Sequence, residues 1–115
     1  MKLISRVAIP IILGVTLVPA LVCSAAGRKP DGASIFREKC SMCHGVNGKG
    51  YAAIHTPNFT DPKWQAAHSN KELLSAIEHG VKGTAMVSFE GKLSHAEMQA
   101  VLNYIRSFGR KSKAK

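Results

Sequence analysis

The feature that most constrains this chain is the run Cys40-Ser41-Met42-Cys43-His44. The two cysteines are three positions apart, so both sulfurs can reach the two vinyl groups on one edge of a haem and form thioether bonds. His44 lies four positions after Cys40 and therefore projects from the same face of a helical turn, toward an iron that those bonds would hold. This spacing is typical of covalent attachment of c-type haem, and it would require the fold to wrap around that group.

Two other uses of these residues stay open. A thiol redox pair would be expected between a strand and a helix, but the chain shows no strand alternation. A zinc site would need two more cysteine or histidine ligands at paired spacing. The remaining histidines are isolated, at His55, His68, His79 and His95. The sequence therefore favours haem over both alternatives.

The N-terminal residues have the pattern of a secretory signal peptide. Lys2 and Arg6 precede a stretch without charge over 7–27, and small residues follow the apolar part at Ala25 and Ala26. We therefore predict a signal peptide over 1–26, a mature chain that begins near residue 27, and a periplasmic location.

Two alternatives concern the same segment. It could remain as a membrane anchor, although its strongly apolar part is short for a span of about 20 residues and contains Pro10 and Pro19. Cys23 could carry a lipid, but the bulky Val22 before it argues against lipoprotein processing.

The mature chain is small, roughly 90 residues, and marginal for a core built from side chains alone. Without Cys23, only Cys40 and Cys43 remain, so no disulfide framework can form. Small domains of this kind usually depend on a metal or a large cofactor to complete the core.

The mature chain is also basic. Once Lys2 and Arg6 are removed, fourteen lysines and arginines face seven acidic residues, a net charge of +7. Such a charge predicts redox partners with an acidic docking face, or contact with anionic lipid. The basic end, 110–115, lacks interleaved aromatic residues, so we predict a flexible solvated tail rather than a nucleic-acid arm.

The pattern of apolar residues predicts an all-α fold. Three segments combine apolar residues at helical spacing with capping residues. They run over 32–40 with Asp31 as the N-cap, over 71–79 with Asn70 as the N-cap and Gly80 as a left-handed C-cap, and over 94–109 with the capping box Ser94 to Glu97. A short helical turn is expected over 61–64.

Four features in this order resemble the small bacterial class I cytochromes c. They are the haem motif through Gly45, Pro57-Asn58-Phe59, Gly83-Thr84-Ala85-Met86, and the capped helix through Tyr104 and Phe108. The resemblance covers nearly all of the domain predicted over 27–109. It implies a class I cytochrome c fold, in which three main helices and a short helical turn surround one covalently bound haem.

The resemblance also implies roles for individual residues. His44 would be the proximal iron ligand and Met86 the distal one. The carbonyl of Pro57 would accept the spare ring hydrogen of His44, and Trp64 could donate its indole hydrogen to a haem propionate or simply pack.

The resemblance also implies a structural role for two residues of the first helix. Gly32 and Phe36 would pack against Tyr104 where the first and last helices cross. The sequence departs from the family at Val87, where a proline commonly follows the methionine.

Other candidates for the distal position stay open. His55 and His79 are the alternative ligands, and His79 is also expected at a helix C-terminus, where a partial positive charge is favoured. Met98 lies on the apolar stripe of the last helix, so we expect it in the core.

A closed iron would leave electron transfer as the remaining chemistry. We therefore expect a monomeric, monohaem one-electron carrier that is not an enzyme by itself and binds no nucleic acid. Contact with a membrane is compatible with this function but not required by it. The alternative function is a haem-based ligand sensor or a peroxidase-like protein, in which Met86 is displaced or does not bind the iron.

Overall fold

The computed structural model describes Gly14 and residues 27–114 of the 115-residue chain. These residues contain no strand, and their helices are α1 (Gly32–Lys39), α2 (Ser41–His44), α3 (Pro62–Ala67), α4 (Asn70–His79) and α5 (His95–Lys113), with a 3₁₀ turn at Ala52–Ile54. The predicted all-α class is therefore confirmed. The expected signal peptide over 1–26, its alternative as an anchor and the lipid on Cys23 lie outside the described residues, except for Gly14.

The core forms where α1 crosses α5. A Cβ on Gly32 would lie 2.0 Å from the carbonyl oxygen of Ala100, so only a glycine lets the two helix backbones come this close. One turn further along α1, Phe36 is completely buried. Its ring centroid lies 5.3 Å from that of Tyr104 and 5.4 Å from that of Phe108. The crossing implied by the family resemblance is confirmed.

The helix starts follow local capping chemistry. Asp31 caps α1 as predicted, because its carboxylate accepts a hydrogen bond from the N–H of Ala33. The capping box predicted for α5 is also confirmed: Ser94 accepts from the N–H of Glu97, and Glu97 accepts from the N–H of Ser94.

The prediction that Asn70 caps α4 is wrong. Ser69 is the N-cap, since its hydroxyl accepts from the N–H of Glu72 while the Glu72 carboxylate accepts from the N–H of Ser69. Asn70 is the first helical residue, and its side chain instead accepts a hydrogen bond from Nε of Arg106 on α5. At the other end, Gly80 has the predicted positive φ of 74°, but its ψ of −174° is extended rather than left-handed helical.

The predicted end of α5 at Gly109 is also wrong, because the helix continues to Lys113. Gly109 is buried within it. A Cβ there would lie 2.7 Å from Cγ of Gln65, so this glycine makes room for a side chain of α3 instead of ending the helix. None of the helices among residues 27–114 combines the length and apolar character needed to span a membrane.

Arg106 attaches α3 to α5. Its guanidinium donates to the carbonyl oxygens of Gln65 and His68, at 2.8 and 2.5 Å, and to the side-chain oxygen of Gln65 at 2.8 Å. The last carbonyls of a helix have no partner within the helix, and here a planar cation supplies one. The segment that carries Trp64 is thereby held against α5.

The capping box of α5 predicts a dependence of stability on pH. Hydrogen bonds from the Ser94 backbone and side chain lower the pKa of the Glu97 carboxyl from its ordinary value of 4.5. A lowered carboxyl pKa stabilises the folded state above the ordinary value, and this contribution is lost as the pH falls through the folded value. We expect Glu97→Gln to lower the urea midpoint at neutral pH and to flatten its decline below pH 4.5.

Glu38→Gln is the matched control, because Glu38 makes only an exposed pair with Lys39, at 3.0 Å. A Glu97→Gln variant whose acid profile is as steep as that of the unsubstituted protein would contradict the expectation.

Candidate haem site

The helices and two loops line a partly open cavity of about 640 Å³. This volume lies within the range of about 300–1,000 Å³ that is common for small-molecule and cofactor sites. All six site residues predicted from the sequence line it: Cys40, Cys43, His44, Pro57, Trp64 and Met86. The structure thus brings together four separate segments of the chain.

Most of the cavity wall is apolar. Leu73 and Ile77 of α4 and Val101 and Ile105 of α5 contribute to it, and all four also belong to the hydrophobic core. Their helical spacing predicts burial, but it cannot distinguish packing against protein from packing against a cofactor. An apolar space of this size is suited to a large flat apolar group rather than to ordered water.

The haem motif consists of Cys40, the C-cap of α1, and the four residues of α2. The N–H of Cys40 donates to the carbonyl of Phe36 at 2.9 Å, and the N–H of His44 donates to the carbonyl of Cys40 at 3.0 Å. Cys40 is partly buried and packed against the core, whereas Cys43 is exposed. The motif therefore runs from the core of the domain to its surface.

The two competing uses of the motif find no support here. Burial raises the pKa of the Cys40 thiol to about 11, whereas a redox-active pair needs a readily formed thiolate. Within the described range 27–114, no three histidine, cysteine or acidic side chains are grouped so that they could hold a metal ion. A zinc site would therefore lack ligands in this part of the chain.

The ring of His44 is half-buried and stacks on Phe59, with a centroid distance of 4.8 Å and an interplanar angle of 22°. Burial lowers the pKa of His44, so the ring is neutral and keeps a lone pair that can bind a metal. Its Nδ1 is buried without a hydrogen-bond partner. A buried polar atom without a partner is costly, and it is expected where a ligand completes the site.

The predicted hydrogen bond between His44 and Pro57 is not present in the structure. Pro57 lines the cavity, but its carbonyl oxygen lies against Gly50, 2.6 Å from where a Cβ of that glycine would be. The residues present nevertheless fit a covalently bound haem: two cysteines, a neutral histidine with a buried unpaired nitrogen, and an apolar cavity.

Met86 lies in the loop that follows α4. Its side chain is half-buried, packs against the core and lines the cavity. Its N–H donates to the hydroxyl of Thr84 at 3.1 Å, and its carbonyl accepts from the N–H of Val81 at 3.2 Å. The family's proline position is occupied by Val87, whose side chain is 55% exposed.

The alternative ligands differ in position. His79 does not line the cavity, and its exposed ring lies between Glu78 and Glu90, at 3.7 and 3.8 Å. His55 does line it, from an exposed position at the end of the 3₁₀ turn. Met98 is 4% exposed and lies in the core, as predicted.

Trp64 and a histidine that was not predicted form one part of the wall. The ring of His68 stacks on the indole of Trp64 with a centroid distance of 4.5 Å, and both side chains line the cavity. Nδ1 of His68 lies 2.9 Å from the carbonyl oxygen of Trp64. The spacing of Trp64 and His68, one helical turn apart, was the only signal of this pairing in the sequence.

Comparison with known proteins gives a consistent result. The family model described as Cytochrome c matches residues 30–109. The chain is 37% identical over 78 residues to the Cbb3-type cytochrome c oxidase subunit FixP of Bradyrhizobium sp. (strain ORS 278), a match that covers 68% of this chain and 27% of that subunit. It is 35% identical over 85 residues to the Cbb3-type cytochrome c oxidase subunit CcoP of Rhodobacter capsulatus, with 68% and 28% covered.

The chain thus spans little more than a quarter of the length of the oxidase subunits that it matches. For a solved structure, the share of the matched protein that is covered is much larger. The KustC0563 c-type cytochrome superposes with a TM-score of 0.63 at 30% identity, and the match covers 68% of this chain and 96% of that one. The matched part therefore corresponds to nearly the whole of a solved c-type cytochrome.

Proposed function

This chain belongs to the cytochrome c family, and we propose that it is a periplasmic one-electron carrier with a single covalently bound haem and no catalytic activity of its own. One observation carries the proposal. The haem motif and Met86 line the same cavity, so His44 and Met86 could both bind the iron of a haem held there. An iron that is bound by both His44 and Met86 would offer no site for substrate or oxygen.

A haem held by thioether bonds to Cys40 and Cys43 would supply an iron that changes between two oxidation states. The chain supplies the surroundings. His44 and the thioether of Met86 would bind the iron, and a methionine ligand raises the reduction potential of a haem iron. The apolar side chains of α4 and α5 would exclude water from the part of the haem that they cover. Cys43 lies at the surface, so the edge of the haem beside it is where electrons would enter and leave.

The names of the relatives support redox proteins as partners. The matched subunits belong to Cbb3-type cytochrome c oxidases, and this chain corresponds to only part of their length. We propose that it provides electron transfer to or from a respiratory complex or a dehydrogenase, and not the oxidase reaction. The net charge of +7 after the proposed signal peptide favours an acidic docking face on that partner.

The second candidate is a haem-based ligand sensor or a peroxidase-like protein. One observation favours it. Met86 is only half-buried, and Val87 beside it is exposed and lacks the stiffness of a proline. A sixth ligand that leaves the iron readily would open a site for small molecules.

Replacement of Met86 distinguishes these candidates. We expect Met86→Ala to remove the sulfur-to-iron charge-transfer band of the oxidised protein. We also expect the reduction potential to fall by on the order of 0.1–0.3 V, a fraction of the range of about 0.8 V that axial ligands span. An optical redox titration measures both.

Met98→Leu is the control, because this buried methionine lies in the core and its volume is nearly kept. If the band and the potential survive in Met86→Ala, another sulfur binds the iron and Met86 is not the ligand. If the unsubstituted protein already lacks the band, the second candidate or a histidine such as His55 takes the place of Met86.

A further inference from the structure

The segment from Gly80 to Glu90, here called the ligand loop, leaves the end of α4 and returns to the same helix turn. The N–H groups of Phe89 and Glu90 donate to the carbonyls of Ile77 and Glu78, at 3.1 and 3.0 Å. These carbonyls belong to the last turn of α4, where helix geometry provides no internal partner. The far end of the ligand loop is therefore fixed to the helix.

The hydroxyl of Ser88 adds a second connection at this point. It donates to the carbonyl oxygen of Glu78 at 2.6 Å and accepts from the N–H of Glu90 at 3.2 Å. The first of these bonds is partly buried, so water competes for it less than at the surface. Ser88, two residues after Met86, thus connects the ligand loop to the last turn of α4.

Position 87 makes no comparable contribution. The N–H of Val87 donates no hydrogen bond to any described residue, and its side chain is 55% exposed. A proline there would restrict the backbone through its ring, but a valine does not fix φ in this way. The constraint on Met86 must therefore come from neighbouring residues.

The start of the ligand loop, at Gly80, packs directly against the backbone of residues 86–88. Gly80 has a φ of +74°, and a Cβ on it would be 2.7 Å from the carbonyl oxygen of Met86 and 3.0 Å from the nitrogen of Ser88. The backbone from 86 to 88 is thus held between Gly80 on one side and the Ser88 hydrogen bonds on the other.

We propose that Ser88 is a positioning residue for Met86: its hydroxyl fixes the backbone from which the thioether reaches the iron, and so replaces the proline that the family commonly has at 87. This inference rests on the proposed function, because it requires Met86 to be the iron ligand. Loss of the hydroxyl leaves the backbone of residues 86–88 free to move. The conformational entropy that is then lost when this backbone is ordered opposes formation of the iron–sulfur bond.

The test uses the haem-loaded protein and added imidazole as the competing ligand. Displacement of Met86 is followed by loss of the sulfur-to-iron band. We expect Ser88→Ala to bind imidazole about tenfold more tightly than the unsubstituted protein, the size expected for one hydrogen bond. Ser88→Thr keeps the hydroxyl and should bind imidazole as the unsubstituted protein does.

Two further variants separate positioning from general loss of structure. Val87→Pro in the Ser88→Ala background should restore the imidazole affinity, because the ring supplies the missing constraint and Val87 donates no hydrogen bond. Ser75→Ala removes an exposed hydroxyl of α4 that makes no hydrogen bond to any described residue, and it should change nothing. If Ser88→Ala alone does not retain haem, the double variant is compared with Val87→Pro, and equal affinities are expected.

An unchanged imidazole affinity in Ser88→Ala would overturn the role of Ser88 while leaving Met86 as the ligand. A double variant that still binds imidazole more tightly than Val87→Pro would also overturn it, since the defect would then not lie in the position of residue 86. Absence of the sulfur-to-iron band from the unsubstituted protein is a different result, because it rejects Met86 as the ligand and the proposed function with it.

Discussion

Replacement of both Cys40 and Cys43 by serine is expected to abolish covalent haem retention and to leave a chain without a cooperative unfolding transition. The cavity of about 640 Å³ extends across the core and is lined by buried side chains of α4 and α5. Without haem, water enters this partly open space and exposes the apolar side chains that line it, at a cost of about 25 cal/mol for each Å² of apolar surface. A small domain has only about 5–15 kcal/mol of stability in total, so the haem-free chain cannot keep this structure.

The measurement is haem-stained denaturing electrophoresis, together with circular dichroism on heating. Met42→Ser is the matched control, because Met42 lies between the two cysteines and is 88% exposed, so its replacement should leave both readouts unchanged. A doubly substituted protein that carried haem through denaturation, or that unfolded cooperatively without haem, would contradict the expectation.

Gly32→Ala is expected to destabilise the protein by about 3 kcal/mol or more, at the upper end of the effect of overpacking. The added Cβ would lie 2.0 Å from the carbonyl oxygen of Ala100 and 2.4 Å from its carbonyl carbon. Both atoms are backbone atoms of α5, so no side-chain rotation can relieve the contact and the helices must separate. Separation would in turn disturb the packing of Phe36 against Tyr104 and Phe108.

Chemical denaturation of the haem-loaded protein measures this effect. Gly27→Ala is the matched control, because a Cβ at that glycine has no atom within 4 Å. If Gly32→Ala and Gly27→Ala had the same unfolding midpoint, the close crossing of α1 and α5 would not contribute to stability in the way described.

Local signals in the sequence predicted those parts of the fold that depend on neighbouring residues. The haem motif and the capping box from Ser94 to Glu97 are complete within five residues, and the structure forms both turns. At α4 the capping signal is ambiguous. Ser69 and Asn70 are both good capping residues, and only Glu72, three residues after Ser69, identifies Ser69 as the cap.

The remaining differences come from contacts between segments that are far apart in the chain. Gly109 is of the residue type that commonly ends a helix, but the side chain of Gln65 packs over it and α5 continues to Lys113. The spacing of His68 from Trp64 allows their local stack, but the place of His68 in the cavity wall arises only when α3 is held against α5. No local pattern could show that Ser88 reaches Glu78, ten residues earlier.

The response of the reduced protein to carbon monoxide tests the central claim most directly. The claim is that this chain supplies both axial ligands of one haem and thereby acts as an electron carrier. It predicts that the reduced protein has a low-spin spectrum that carbon monoxide leaves unchanged. A high-spin spectrum that shifts readily when carbon monoxide is added would contradict the claim, because it would show an iron that is open to ligands.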